Sequence, residues 1–251
     1  MTPLVLVHGF MGGSRQWDSL SAHMSDDREV LPLDLPGFGA NAHLDPFDRI
    51  EVYAEWVIQQ VRQRGIDRYT LLGHSMGGMI AQEVAARDTK ALDGLILYGT
   101  GPLGDIPGRF ETIAESRRRA KADGAEATAT RIVATWLMKQ TDSPAFPQVA
   151  RLACSARLPA LLAGLEAMEH WSGVSALKSI TTPTLIIWGD RDRSYNWPQI
   201  EELWRSIPKS SLCVLPNCSH LAHLEEPKIF ERVLSKFLQT NSETEALCTL
   251  P

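Results

Sequence analysis

The chain has 251 residues, with 25 lysines and arginines against 30 aspartates and glutamates, for a formal net charge of −5. That balance disfavours a general nucleic-acid binder, while the apolar (44%) and charged (22%) fractions are those of an ordinary soluble globule. Only Leu4–Val7 is apolar near the start, too short for a signal-peptide core, and no segment is long and apolar enough to span a bilayer.

Short apolar runs alternate with helical patterns, which predicts a doubly wound, mostly parallel α/β sheet covered on both faces. Strands are predicted at 3–7, 29–33, 69–72, 94–98, 184–188 and 211–215, and helices at 17–24, 48–64, 76–87, 198–206 and 227–238. In the second helix Ile50, Tyr53, Ala54, Val57, Ile58 and Val61 keep the 3.6-residue period, and Gly65 stops it. From Gly101 to Ser179 there is no strand signal; Ile132, Val133, Trp136, Leu137, Leu161, Leu162, Leu165 and Met168 recur in helical patterns instead. The expected organisation is a core of 1–100 and 180–240, an inserted helical region over 101–179, and a frayed polar tail over 241–251. The cluster Arg117-Arg118-Arg119-Lys121 lacks interleaved aromatics and reads as a solvated helix face. Cys154, Cys213, Cys218 and Cys248 show neither paired metal spacing nor a disulfide framework, so a cytoplasmic location is expected.

The chemistry concentrates at Gly73-His74-Ser75-Met76-Gly77-Gly78, between the third strand and its helix. A Gly-x-Ser-x-Gly in that position is a nucleophile elbow, a strained turn that lifts the serine hydroxyl to the sheet edge. Side chains at Gly73 and Gly77 would collide as strand and helix close together. Such a serine needs a base, and the base needs an acid to fix its tautomer. In a parallel sheet the loops at the strand carboxyl ends share one edge. The fifth strand runs into Asp190-Arg191-Asp192, and the sixth runs toward His220 and His223, giving the order Ser, Asp, His. Asp190 or Asp192, and His220 or His223, remain open on spacing alone. A dinucleotide site at Gly9-x-x-Gly12-Gly13 misses the required glycine spacing, and His220, His223 and Glu225 lack the helical His-Glu-x-x-His spacing of a zinc site.

The elbow, the early His8-Gly9-Phe10, Asp34-Leu35-Pro36-Gly37-Phe38-Gly39, Gly189–Asp192 and Ser219-His220 together resemble the α/β-hydrolase family, in family order, over 4–238. The resemblance implies a helical cap over 101–179, Ser75 as nucleophile, His220 as base and Asp192 as the orienting acid. It further implies an oxyanion hole from the Phe10 and Met76 N–H groups, and chemistry that uses no metal or organic cofactor. His8, His74, His23, His43 and His170 then read as structural. Two departures stand out: the chain starts at the family's third strand, and Ser219 precedes the histidine where the family has Gly. The first leaves an edge strand exposed or covered by a partner; a homodimer is compatible with this, and the sequence does not fix the oligomeric state.

The expected activity is hydrolysis of a small to medium apolar or aromatic carboxylic ester through an acyl-enzyme, with lactone, amide and carbon–carbon diketone bonds as neighbouring substrates. Trp136, Leu137, Met138, Met168 and Trp171 are candidates for an apolar pocket or for plain core, and Arg15 for a substrate carboxylate or the open surface. The family's carbon–carbon hydrolases often carry Trp after the histidine, where Leu221 stands here. The alternatives are a lyase resembling the menaquinone-pathway synthase, a cofactor-free perhydrolase, and a ligand receptor that retains the triad.

Overall fold

Six parallel strands lie in one sheet: β1 (Leu4–Val7), β2 (Val30–Leu33), β3 (Tyr69–His74), β4 (Leu92–Tyr98), β5 (Thr184–Gly189) and β6 (Ser210–Leu215), in the spatial order β2-β1-β3-β4-β5-β6. The computed structural model describes residues 1–109 and 111–248, with the backbone course alone for 240–248. All six strands lie where the apolar runs predict them. β3 and β5 extend one or two residues further, to His74 and Gly189, and so carry the chain up to the loops that hold the chemistry.

Both faces of the sheet are buried, which is why its strands read as continuous apolar runs rather than alternating ones. Alternate residues go to opposite sides. Val5, Val7, Leu71, Leu95, Leu97 and Ile186 join one cluster, while Leu4, Leu6, Leu72, Ile96, Leu185 and Ile187 join another around Trp17 and Phe230. α1 (Asp18–Met24) follows a 3-10 turn at Ser14–Trp17, and α2 (Ile50–Gln63) buries the six predicted apolar positions. α2 ends before Gly65, whose φ of 70° is the left-handed conformation that suits a helix stop. α3 (Met76–Arg87) has the predicted bounds. β2 is a sheet edge, and Pro32 within it lacks the N–H that would offer a further strand a bond.

Between β4 and β5 the chain forms α4 (Ile113–Asp123), α5 (Ala125–Thr135), α6 (Phe146–Ala153) and α7 (Leu158–Glu169). Thr112 caps α4 by accepting from the Glu115 N–H, and Pro147 and Pro159 sit in the first turns of α6 and α7, where a missing N–H costs nothing. Arg117 ties α4 to Glu166 (2.8 Å) and Glu169 (2.5 Å) of α7, while Arg118 and Arg119 bind Glu115, so much of the predicted basic face is locally neutralised. α6 and α7 reach the core loops: Leu152 lies against Gly13, and Gly164 against the Phe10 ring. α8 (Trp197–Ser206) follows β5, and α9 (Ala222–Glu225) and α10 (Pro227–Cys248) follow β6. α10 runs ten residues beyond the predicted end at 238, so 241–248 of the expected tail continue it, and 249–251 lie outside the described residues. Among the described residues no helix is long and apolar enough to cross a membrane.

Helix and sheet also meet backbone to backbone at Gly77, where a Cβ would stand 2.5 Å from the carbonyl oxygens of both Val7 and His8. Backbone atoms cannot yield as a side chain would. Gly77→Ala is therefore expected to lower stability by about 3 kcal/mol, the upper range for overpacking, read as a shift of the urea midpoint at unchanged slope.

Candidate active site

The sheet delivers Ser75 at the end of β3 in a conformation few residues adopt, with φ 56° and ψ −119°. Such strain costs about 1–3 kcal/mol and persists only where the surroundings over-determine it. Here they do. The Ser75 N–H donates to the Tyr98 carbonyl (2.9 Å), and its own carbonyl accepts from Gly78 N–H (2.8 Å), Met79 N–H (3.3 Å) and the Thr100 hydroxyl (2.8 Å). A Cβ at Gly73 would overlap the Gly77 carbonyl, as the sequence predicts.

The loops after β5 and β6 bring the partners to the same edge. His220 Nδ1 lies 2.8 Å from Asp192 Oδ2, both side chains being shut off from solvent. The other carboxylate oxygen accepts from the N–H groups of Ser194 (2.7 Å) and Tyr195 (3.2 Å), so Asp192 is fixed before it meets the imidazole. Asp190 instead is half-buried beside Arg191 (3.7 Å), and His223 turns to the Tyr98 hydroxyl (3.0 Å) and the Trp17 ring. Of the open pairs, Asp192 and His220 are the ones brought together. Ser75 and His220 line one cavity with an empty volume of about 340 Å³. No hydrogen bond joins them directly among the described residues; catalytic hydrogen bonds in free enzymes are often long and tighten once substrate binds.

Phe10 lines the same space, and Met76 follows Ser75 directly in the chain. Met76 is the first residue of α3, and neither its N–H nor that of Phe10 donates to an acceptor among the described residues. Trp136, Val149, Leu152, Leu221 and Leu224 form a larger, apolar part of the walls, and the Gln16 amide and the His74 ring also line the space. Of Trp136, Leu137, Met138, Met168 and Trp171, singled out in the sequence, only Trp136 lines this cavity. Leu137 is core, and the Trp171 indole N–H is committed to Glu83 at 2.7 Å. Arg15 lies in a neighbouring groove, 83% exposed, with Asp18 at 3.9 Å. Glu225, considered with the two histidines as a zinc set, spends its oxygens on the N–H groups of Ser219 and Met138.

Residues 4–233 match the profile described as the Alpha/beta hydrolase family. The chain belongs to that family. Among similar proteins, the hydrolase is 28% identical to the 2-succinyl-6-hydroxy-2,4-cyclohexadiene-1-carboxylate synthase of Enterobacter sp. (strain 638), over 94% of this chain and 91% of that one. It is 23% identical to the pimeloyl-[acyl-carrier protein] methyl ester esterase of Legionella pneumophila (strain Paris), over 94% and 95%. Among solved structures, a thermophilic esterase from Thermogutta terrifontis superposes with a TM-score of 0.87 at 24% identity, covering 96% of this chain and 90% of that one.

Several groups that frame the hydrolase site carry no local sequence signal. Tyr195 stacks on the His220 ring (5.8 Å, 18°), and its hydroxyl reaches Ser75 and Thr100; burial pushes it up to about 12, so it stays protonated. His74 Nε2–H donates to the His220 carbonyl (3.1 Å), and the Tyr98 hydroxyl donates to the same oxygen (3.0 Å). His8 accepts from the Leu35 N–H at Nε2 (3.0 Å), so its Nδ1 carries the proton and donates to the Gly9 carbonyl (2.8 Å). His8, His74 and His223 are the neutral structural groups of the site. Burial lowers His8 to about 4 and His223 to about 3; burial, reinforced by His220 and His223, holds His74 well below 6.5.

The sign of the consequence is fixed by linkage. Unfolding returns these histidines to about 6.5, so below that pH the unfolded chain binds more protons than the fold. Their contribution is fully present above pH 6.5 and is lost as the pH falls toward 4. Near pH 5, unfolding is expected to take up about two to three protons on these groups, each adding about 1.4 kcal/mol per pH unit to the slope of stability. Urea midpoints at pH 7, 6 and 5 measure this, and equal midpoints would show that the histidines are charged in the fold.

Proposed function

We propose that this hydrolase cleaves carboxylic esters through an acyl-enzyme on Ser75. The observation that carries the reading is the buried Asp192–His220 pair on the cavity that Ser75 enters, with two uncommitted N–H groups beside it. His220 Nδ1 is held by Asp192, which leaves Nε2 as the basic nitrogen. Ser75 Oγ attacks the acyl carbon as its proton passes to Nε2, and the carbonyl π pair moves onto oxygen. The Phe10 and Met76 N–H groups hold that oxyanion; one such donor is typically worth about 3 kcal/mol in the transition state. Collapse expels the alkoxide, which takes the proton from His220. A water then repeats the sequence, giving its proton to His220, releasing the acid and restoring Ser75.

The mostly apolar cavity walls favour an apolar or aromatic acyl group, as ligand pockets are lined mainly by such side chains. Residues 101–179 serve as the cap over that group. The free Cys154, Cys213 and Cys218 fit a reducing, cytoplasmic setting. The likeness to the Enterobacter synthase favours a second reading, in which the same groups move a proton in a lyase without acylating Ser75.

An active-site fluorophosphonate is expected to label Ser75 and to leave Ser75→Ala unlabelled; equal labelling of both removes the assignment. Mass spectrometry of quenched p-nitrophenyl ester turnover is expected to show an acyl adduct on Ser75, and its absence during steady turnover would favour the lyase. Asp192→Asn is expected to lower kcat by about 10³–10⁴-fold, the cost of the wrong tautomer, with Asp190→Asn close to wild type. The reverse ranking would transfer the role of the acid to Asp190.

A further inference from the structure

One carboxylate joins the histidine loop to the segment that follows α5. Glu225, the last residue of α9, accepts from the Ser219 N–H at 2.6 Å with one oxygen and from the Met138 N–H at 2.6 Å with the other. Between these two bonds, the Leu221 N–H donates to the Trp136 carbonyl at 3.3 Å. Both neighbours of His220 are thus anchored to structure that includes or borders Trp136–Met138. The Trp136 ring stands 5.7 Å from the imidazole and walls the cavity. Bonds to an ionised acceptor are the short and strong ones, and 2.6 Å is at the short limit for an N–H donor.

We propose that Glu225 is a positioning residue, clamping the Trp136 wall of the acyl cavity in register with His220. The role rests on the Ser75 acyl-enzyme reading. Its chemistry demands a carboxylate: both partners are N–H donors, so both oxygens must accept. An amide of the same shape has a single acceptor oxygen and would set its NH2 group against one of the two donors. Losing one arm frees either the residue before His220 or the wall beside it. The clamp therefore sets two things together, the placement of the base and the width of the space for the acyl chain.

Glu225→Gln and wild type are compared by amide hydrogen exchange and by turnover of p-nitrophenyl acetate and octanoate. Exchange at Met138, Ser219 or both is expected to rise. In the same variant kcat falls about tenfold on both esters, the scale of a slightly misplaced catalytic group, and KM rises more for octanoate than for acetate. Faster exchange with unchanged kcat and KM overturns the proposal, because Glu225 would then be a structural staple only; unchanged exchange overturns it as well. Should the Gln variant not fold, Glu225→Asp keeps the charge with a shorter reach, and it must show the same joint effect on exchange and kinetics. Ser75→Ala separates the two readings. If that variant turns over both esters like wild type, the acyl-enzyme reading fails; if it is inactive while Glu225→Gln is fully active, only the clamp fails.

Discussion

The site depends on a strained serine being held from both sides of one tyrosine. Ser75 sits at φ 56°, a backbone conformation that costs about 1–3 kcal/mol, and its N–H is held by the Tyr98 carbonyl. The hydroxyl of the same tyrosine donates to the His220 carbonyl and accepts from the His223 N–H. Tyr98 is the last residue of β4, beside β3 in the sheet, so strand pairing itself fixes the distance between the elbow and the histidine loop. Burial raises Tyr98 well above its ordinary value, which keeps the hydroxyl protonated as a donor. A phenolate there would lose the bond to His220 and place a charge in the core.

Three buried histidines surround His220, the one that ionises under the proposed mechanism. His8, His74 and His223 lie within the apolar interior, where a charged imidazolium would be unsolvated. His8 and His74 are bonded at both ring nitrogens in a way a neutral ring satisfies, and His223 is bonded at Nδ1. His74 and His223 are within 6 Å of one another, and His74 is 4.6 Å from His220, so a second imidazolium would repel the one formed in catalysis. Of these four buried rings, only His220 is paired with a carboxylate, that of Asp192. Four residues of one type are thus divided by environment into three fixed spacers and one that the proposed mechanism uses to carry a proton.

The division explains which parts were legible in the sequence. Strand and helix positions follow from local period and from Gly65, Pro198 and Pro227, each of which acts through its own backbone. The edge that gathers Ser75, an aspartate and a histidine was reachable because a parallel sheet sends the ends of β3, β5 and β6 to one side, whereas the choice of Asp192 over Asp190 and of His220 over His223 came from the family resemblance. What local pattern could not supply is pairing across distance. Tyr98 and Tyr195 look like ordinary core aromatics, and Glu225 like the end of a surface helix. Their meaning comes from partners 122, 120 and 87 residues away: His220, Ser75 and Met138. Trp136 and Trp171 show the same limit within one segment, since both are apolar at helical spacing and only the first meets the cavity.

The walls of the cavity also bear on how a turnover ends. Under the proposed chemistry the product is a carboxylate formed in a mostly apolar space, where Gln16, His74, Ser75 and His220 supply the polar side chains and no lysine or arginine lines it among the described residues. The oxyanion donors suit a tetrahedral oxygen that exists only in passing, whereas a stable anion left in an apolar cavity is poorly solvated, at a cost of several kcal/mol. The groove beyond Gln16 and Leu152 carries Arg15 and Arg151 and is open to water. A neutral ester is therefore better accommodated than the acid it becomes. The same desolvation that strengthens the oxyanion bonds also drives the product outward.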